Sequence, residues 1–350
     1  MATTLLILGL VAAIGGIVVF AVSSRLVATM LLAFGALAAV TGWLLPTTDR
    51  VDALKTGGLA AGSVVALYAL WLNDRRRRVD EERQLVEHER QQLEHDRAAH
   101  ERERAADDRF LRAVELLGHE TDQARVGALH ALAGLARNRS SYTQDVLDVI
   151  CSYLRRPFDH PEYLEARDAG NYQGDPAEAD RWRVVRLTAQ RLLADLLPKV
   201  GEQDAPAYDL DLTGATLEYC DLSYRVMGQV RLRGMKLYQS NAFHHCEIRG
   251  PAWFTNTESW GRLRLHHMVF HDNAWFGGLR VHSTMSCHDT VFHRDSSFKE
   301  STFDGKVDLR DTVFERKPDF KGATFAGPVD LPPGWALDAQ RLKPVAPSQP

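Results

Sequence analysis

Residues 265–298 read LHHMVFHDNAWFGGLRVHSTMSCHDTVFHRDSSF, and the spacing of their apolar side chains decides the fold. A large apolar residue recurs every eleven positions, and a second series of the same period lies between its members. The first series is Leu232, Phe243, Phe254, Leu265, Phe276, Cys287, Phe298, Leu309, Phe320 and Leu331. The second is Leu237, Ile248, Ser259, Phe270, Val281, Phe292, Phe303, Phe314 and Phe325, and Ser259 is its only polar member. Neither the period of a helix nor that of a strand fits this pattern.

Before residue 232, apolar residues also recur regularly, but with a shorter period. Apolar residues fall at a strict period of five at Leu212, Leu217, Leu222, Met227 and Leu232. Two positions before these centres the chain mostly has a small or apolar residue, namely Ala215, Cys220, Val230, Ala252, Ala274, Ser301, Val307 and Ala323. The spacing predicts a chain that turns a corner every five or six residues, with one large and one small side chain inward on each face.

The tripeptides Ala215-Thr216-Leu217 and Ala323-Thr324-Phe325 fit an A-x-[LF] core. With the spacing, they resemble the pentapeptide-repeat family. The resemblance implies a right-handed quadrilateral β-helix over 206–332, in which residues 22 apart stack. The eleven-residue period departs from the strict five-residue period of that family. The resemblance therefore does not specify the geometry of the corners.

Three uncharged apolar runs occupy 4–22, 26–45 and 56–72, and only five charged side chains lie within 1–72. A helix of about 20 such residues crosses the hydrocarbon core of a bilayer, and 17 is near the lower limit. We predict a membrane domain over 1–73 with three spans in contact with lipid. Close packing of its helices is favoured by small residues. These are Gly9, Gly15, Gly16, Gly35, Gly42, Gly57, Gly58 and Gly62.

Arginines predict the orientation of the spans. Four arginines at 75–78 directly follow the third run, and basic residues beside a span stay cytoplasmic. With three spans, Arg25 in the turn Ser23-Ser24-Arg25 falls on the same side, and the net-neutral loop at 46–55 falls outside. Three spans are therefore favoured over two. The expected protein is a multi-pass plasma-membrane protein with cytoplasmic C-terminal domains.

Charged residues dominate the segment 74–106, with nineteen of them between 74 and 104. Opposite charges alternate at helical steps along Arg76, Asp80, Arg83, Glu87, Arg90, Glu94, Arg97, Glu101, Arg104 and Asp108. Each such pair stabilises a solvated helix by ~0.2–0.5 kcal/mol. Apolar residues also recur every seven, at Leu72, Val79, Val86 and Leu93. A solvated helical stalk is the favoured interpretation, and a coiled coil that joins two copies of the chain is the alternative.

The segment 107–200 is predicted to be an all-α domain, and the Pro-rich tail at 333–350 is predicted to be disordered. Four apolar helix faces support the domain, the second of which contains Val126, Leu129 and Leu132. The order of segments, with Arg109-Phe110 and AVELLG at 113–118, also resembles actinobacterial membrane-anchored pentapeptide repeat-containing proteins. This second resemblance indicates a bacterial protein and implies no known activity.

Charge and motifs exclude several functions. The net charge of −4 implies no general attraction to nucleic acid. The 206–332 segment has 16 acidic and 15 basic residues, so it lacks the charge with which some members of the family imitate DNA and occupy gyrase. The sequence shows no phosphate loop, no HExxH and no nucleophile–base signature. Four scattered cysteines without CxxC exclude a disulfide scaffold, and three of them, Cys220, Cys246 and Cys287, fall at inward core positions. We therefore expect neither an enzyme nor a bound cofactor.

Histidines form the first candidate site. His244, His266 and His288 lie 22 apart, and His245, His267 and Asp289 form a neighbouring column. His271 and His293 make a third column. Stacked imidazoles beside a carboxylate can hold a metal, so a metal sensor or metal-dependent enzyme is the alternative function. The other interpretation, which we favour, is that duplicated repeats copied these surface residues.

Outward apolar columns form the second candidate site. Trp253 and Trp275 lie 22 apart, as do Val269, Val291 and Val313. Such columns indicate a covered surface, and the cover is either a protein partner or the α-domain of this chain. The sequence therefore predicts a membrane-anchored, cytoplasm-facing scaffold or protein-interaction protein.

Overall fold

The computed structural model describes residues 2–22, 25–46, 49–168, 170–332, 334–338 and 341–344. The predicted turn at Ser23-Ser24, part of the predicted 46–55 loop and the end of the predicted tail lie outside the described residues. The chain divides into two units, Met1–Arg102 and Glu103–Pro350.

Three helices begin the chain: α1 (Ala2–Val22), α2 (Arg25–Leu44) and α3 (Arg50–Leu117). The segments Ala2–Phe20, Arg25–Leu44 and Arg50–Arg76 are each long and apolar enough to cross a membrane. Helix α3 begins within the predicted loop, because the backbone carbonyl of Asp49 already accepts from the amide of Ala53. It contains both the third apolar run and the predicted stalk in 68 residues.

Glycines let α1 and α2 pack closely. A Cβ atom at Gly9 would lie 2.3 Å from the Ala39 nitrogen, and one at Gly35 would lie 2.7 Å from the Ala13 nitrogen. Both contacts are with backbone, so only glycine fits. The prediction that small residues bring these helices together is confirmed for this pair of contacts. At Gly15, and at Gly58 and Gly62 of α3, no atom lies within 4 Å of the place of a Cβ, so the prediction stays untested there.

One end of this first unit collects basic and aromatic groups. The guanidinium carbon of Arg25 lies 4.9 Å from the centroid of the Trp71 ring, and that of Arg75 lies 5.6 Å from it. The start of α2 and the end of the third apolar run are therefore at the same end. Further along α3, Arg90 pairs with Glu94 at 3.1 Å and Leu93 is exposed. The side chains at 77–86, with Val79 and Val86 of the seven-residue pattern, lie outside the described residues.

The second unit begins with helices around a buried apolar centre. They are the end of α3, α4 (Asp122–Asn138), a 3₁₀ turn (Ser140–Tyr142), α5 (Thr143–Leu154), α6 (Pro161–Ala166) and α7 (Pro176–Leu196). The carboxylate of Asp175 caps α7 by accepting from the Ala177 amide at 3.0 Å. The predicted apolar faces meet in the core, at Leu117, Leu129, Leu132, Val146, Ile150, Val185 and Leu193.

A solenoid of four parallel sheets follows, with one sheet on each face. The first face has β1 (Leu210–Asp211), β4 (Val230–Arg231), β8 (Ala252–Trp253), β12 (Ala274–Trp275) and β16 (Ser296–Ser297). The second has β2 (Thr216–Glu218), β5 (Lys236–Tyr238), β9 (Glu258–Ser259), β13 (Arg280–Val281), β17 (Thr302–Phe303) and β20 (Thr324–Phe325). The third has β6 (Asn241–Ala242), β10 (Leu263–Arg264), β14 (Met285–Ser286), β18 (Val307–Asp308) and β21 (Val329–Asp330). The fourth has β3 (Val226–Met227), β7 (Glu247–Ile248), β11 (Val269–Phe270), β15 (Val291–Phe292) and β19 (Val313–Phe314).

The strand register reproduces the change of period in the sequence. Leu210 pairs with Val230, 20 residues later, whereas Val230 pairs with Ala252, 22 residues later. Inside the coils, the ring of Phe298 stacks between those of Phe276 and Phe320, with centroids 4.6 and 4.8 Å away. Ser259 is also fully buried, and its hydroxyl donates to the Gly261 carbonyl at 3.0 Å. The predicted inward positions are thus confirmed, including the polar exception.

Once in every eleven residues, a corner contains a residue with the left-handed backbone conformation, in which φ is positive. These residues are Gly234, His245, Asn256, His267, Gly278, Asp289, Glu300, Asp311 and Gly322. At Asn256 the corner is closed by the Thr257 amide, which donates to the Phe254 carbonyl at 3.2 Å. A turn with positive φ at its third residue suits Gly, Asn, Asp and His best. Only Glu300 falls outside these four types.

Both ends of the solenoid are covered. At the start, the guanidinium group of Arg183 on α7 donates to the carboxylates of Glu218 and Glu162. The Tyr163 ring on α6 packs against the solenoid at Tyr238. At the other end, the strands β22 (Trp335–Asp338) and β23 (Arg341–Pro344) pair antiparallel. The Trp335 ring lies 6.0 Å from that of Phe320, so part of the tail predicted to be disordered is a strand pair that covers the last coil.

Candidate functional site

The two outward tryptophans form one stacked aromatic surface. Trp253 and Trp275 are register partners, with ring centroids 5.1 Å apart and planes 12° apart. Both rings are half-buried. The guanidinium carbon of Arg233 lies 5.0 Å from the Trp253 centroid and that of Arg231 lies 5.7 Å from it. The flank of this surface is therefore cationic.

These rings lie in a groove of about 590 Å³, which we call the tryptophan groove. The side chains beside the rings are Arg233, Thr255, Asn256, Ser297, Lys299 and Glu300. Gly277 and Gly278 also line the groove and add no side chain to it. Every residue that lines the groove belongs to the solenoid, and the helical domain packs instead on the first two coils, at Glu218 and Tyr238. Of the two covers proposed for this surface, the α-domain is therefore not the one that occupies it.

The valine column lies on a different face. Val269, Val291 and Val313 are register partners on the fourth face, whereas the tryptophans are on the first. Val313 is 50 % exposed. The structure thus confirms each column but does not bring the two columns onto one surface.

The structure brings the predicted histidines together in one cluster, which we call the histidine ladder: His244, His245, His266, His267, His288 and Asp289. The His266 ring is parallel to those of His244 and His288, with centroids 4.6 and 4.8 Å away. The second column interleaves with the first nearly at right angles. His245 and His266 are inclined by 84°, and His267 and His288 by 82°.

Ligand atoms in the ladder form two groups of three. The atoms of His244, His245 and His266 lie within 4.8 Å of one another, as do those of His267, His288 and Asp289. In the first group the Nδ1 atoms of His244 and His245 are 2.9 Å apart. In the second, Asp289 Oδ2 lies 2.7 Å from His288 Nδ1 and 3.6 Å from His267 Nδ1.

Burial and mutual repulsion keep the first group uncharged. Burial, followed by the neighbouring imidazoles, lowers the pKa of His266 to about 4. Burial is also the main cause that lowers the pKa of His244, with Arg264 next, and that of His245, with His267 next. In the second group, the hydrogen bond from His288 lowers the pKa of Asp289. At neutral pH the first group therefore offers imidazole lone pairs.

The third predicted histidine column has a different role. The rings of His271 and His293 stack at 5.3 Å, and each reaches a carboxylate. His271 Nε2 lies 3.2 Å from Glu247 Oε1, and His293 Nδ1 lies 2.7 Å from Glu315 Oε1. These contacts are pairwise bridges between coils, which is what copied surface residues would give.

A fourth column was missed by the sequence reasoning. Tyr238, Trp260 and His282 stack on the second face, with centroids 4.7 and 5.6 Å apart. His282 lies 3.0 Å from a Glu258 oxygen and 2.8 Å from an Asp304 oxygen. Burial lowers the pKa of His282, but the two carboxylates outweigh burial and raise it. The signal was available, because these residues are 22 apart.

The cysteines are core residues, as predicted. Cys220, Cys246 and Cys287 are buried and free, and burial raises the pKa of each thiol to about 12. Thiols with such values are not nucleophiles at neutral pH.

Comparison with known proteins supports the fold. Residues 288–332 match the family model for pentapeptide repeats, with nine copies. No curated protein and no solved structure matches the chain in sequence. The matched segment shares its 22-residue register with the coils before it, for example between Phe270 and Phe292. Together, the match and the four parallel sheets show that the C-terminal part of the chain is a β-solenoid with pentapeptide repeats.

Proposed function

We propose that this chain is a membrane-anchored protein-interaction protein that acts by binding rather than by catalysis. The pentapeptide-repeat β-solenoid is a general protein-interaction fold. Three helices near the N-terminus are long and apolar enough to attach it to a bilayer. The proposed role is to hold a protein partner at the membrane.

The proposed topology has three spans with the solenoid in the cytoplasm. Arg25 and Arg75 lie at the same end of the first unit, around Trp71. Basic residues beside a span favour the cytoplasmic side, and tryptophan favours the interface. Asp49, between the second and third helices, would then face outside.

The observation that carries the proposal is the exposed pair of stacked tryptophans. Both rings are half-buried, and the helical domain contacts the first two coils, at Glu218 and Tyr238, rather than the tryptophan groove. Tryptophan and arginine are the residues most enriched where binding energy concentrates in interfaces. A ring pair of this size exposed to water costs free energy that a partner would recover.

The groove also indicates the kind of segment that fits it. Arg231, Arg233 and Lys299 surround the rings, with Glu300 as the opposing charge. We expect an apolar or aromatic side chain of the partner to lie on the two rings. Carboxylates beside that side chain would meet the arginines, which form bidentate contacts with such groups.

The test uses the full chain in its native membrane. A photo-crosslinking residue at Thr255, which lines the groove, should capture a partner. The double variant Trp253→Ser/Trp275→Ser should abolish that product. Its free energy of unfolding should change by no more than the ~0.5 kcal/mol expected for surface sites. The matched control is Val269→Ser/Val291→Ser on the fourth face, which should leave the product unchanged. An unaltered product in the tryptophan variant would contradict the proposal.

A further inference from the structure

We propose that His244, His245 and His266 bind a divalent late-transition-metal ion such as Zn²⁺ or Ni²⁺. This site lies at the corner between the third and fourth faces, and it does not depend on the proposed protein-binding role. The argument rests on the placement of three imidazoles from two successive coils.

The distances need only small changes to admit an ion. Zinc binds imidazole nitrogen at ~2.0–2.1 Å, so two nitrogens on one ion are at most about 4.2 Å apart. The three ligand atoms lie within 4.8 Å of one another, and the Nδ1 atoms of His244 and His245 are 2.9 Å apart. Small side-chain rotations would therefore bring the three nitrogen atoms to the distances that one bound ion requires.

The ring orientations also allow convergence. His245 is inclined by 81° to His244 and by 84° to His266. Because the lone pair of an imidazole lies in the plane of its ring, perpendicular rings approach a common point from different directions. Two parallel rings alone, such as His271 and His293, do not have this property.

The chemistry of the group selects the metal. Three imidazoles without a carboxylate suit zinc, nickel and copper, whereas magnesium and calcium prefer oxygen ligands.

Copying of surface residues gives identical residues 22 apart, as at His271 and His293, but it does not by itself set rings of two neighbouring columns nearly perpendicular to one another. In the column of Tyr238, Trp260 and His282 the residue type changes at every coil. In the ladder, the four positions at 244, 245, 266 and 267 are all histidine. The left-handed corner explains a tolerance for histidine at His245 and His267, but glycine and asparagine occupy the equivalent corners at Gly278 and Asn256.

The test measures metal binding by the full chain in detergent, purified with a tag that contains no histidine. After treatment with EDTA, the protein is titrated with Zn²⁺ by calorimetry, and the bound metal is counted by mass spectrometry. We expect at least one equivalent that excess Mg²⁺ does not displace. His266→Gln should weaken binding by more than the ~10–100-fold that the loss of an outer-shell partner causes.

Two controls make the result specific. His271→Gln removes a histidine from the neighbouring column and should leave the affinity within about two-fold. If His266→Gln shifts the thermal transition, then His244→Gln, read out by the absorption of bound Co²⁺, replaces it. Unchanged zinc affinity in the His266 or His244 variant would overturn the proposal. An equal loss of zinc affinity in His271→Gln would also overturn the proposal. So would a loss of zinc affinity that occurs only in Asp289→Asn.

Discussion

The rings of Tyr163 and Tyr238 lie parallel, with centroids 4.0 Å apart and planes inclined by 5°. Tyr163 belongs to α6 of the helical domain, and Tyr238 ends β5 of the solenoid. Trp260 and His282 continue the same stack. The helical domain therefore supplies one more ring to a column that the solenoid builds by repetition, and this contact holds the two parts together.

Removing that ring should destabilise the second unit. Tyr163 and Tyr238 are each 1 % exposed, so Tyr163→Ala leaves a cavity and should cost ~3–5 kcal/mol. Tyr163→Phe keeps the ring and should cost far less. Denaturant unfolding followed by circular dichroism measures both. Equal stabilities for the Ala and Phe variants would show that the ring contact does not hold the domain.

Arg183 should be as important to the same interface. Its Nε lies 2.5 Å from Oε1 of Glu218, which is 2 % exposed. Arg183→Met would leave that carboxylate buried without its partner, at a cost of ~3–5 kcal/mol. The double variant Arg183→Met/Glu218→Gln should recover much of the loss, because no charge remains buried. A double variant less stable than the single one would contradict this account.

The stacked phenylalanines should carry the stability of the coils. Phe298 is 1 % exposed between Phe276 and Phe320, so Phe298→Ala should cost ~3–5 kcal/mol. Val313→Ala changes a residue that is 50 % exposed and should stay within ~0.5 kcal/mol. Thermal unfolding of the two variants gives the comparison. Similar losses would mean that the assignment of inward and outward positions is wrong.

The pH dependence of stability should report on His282. Its pKa in the folded chain is raised by Glu258 and Asp304, against the effect of burial. A raised pKa stabilises the fold below the unfolded value near 6.5, and this contribution disappears as the pH rises through the folded value. His282→Gln should therefore be less stable than wild type at pH 5–6 and approach it at pH 8–9. A stability difference that stays constant across this range would refute the assignment.

The topology predicts different labelling of two cysteine variants. Asp49→Cys should react with a membrane-impermeant maleimide in intact cells, because it lies between the second and third spans. His95→Cys on α3 should react only after the cells are permeabilised. The native cysteines are buried and should add little background. Labelling of His95→Cys in intact cells would exclude a cytoplasmic solenoid.

The solenoid could be predicted from sequence because one rule governs every inward residue. A series such as Phe276 and Phe298 specifies the face, the coil and the register together. The left-handed backbone conformation at the corners was not predicted, because it leaves only a weak trace in the choice of Gly, Asn, Asp or His. The continuity of α3 was not visible either, because its apolar and its charged part both suit a helix.

The candidate sites could be predicted only as columns. Counting by 22 places His244 above His266 and Trp253 above Trp275, and the structure agrees. Counting does not say that His245 is perpendicular to its neighbours, because ring orientation depends on packing. The contact between Tyr163 and Tyr238 could not be predicted either, because one residue belongs to a helical pattern and the other to the repeat.

The 22-residue register restricts how a chain of this kind can change length. Insertion or deletion of one whole coil between Val230 and Val329 would keep every later residue on its face, so the strand pair that starts at Trp335 would still cover the last coil. Insertion of a single eleven-residue unit would move all later residues to the opposite face and leave that cover misplaced. Natural length variants should therefore differ by multiples of a full coil, and each added coil can extend the tryptophan pair or the histidine ladder by one rung.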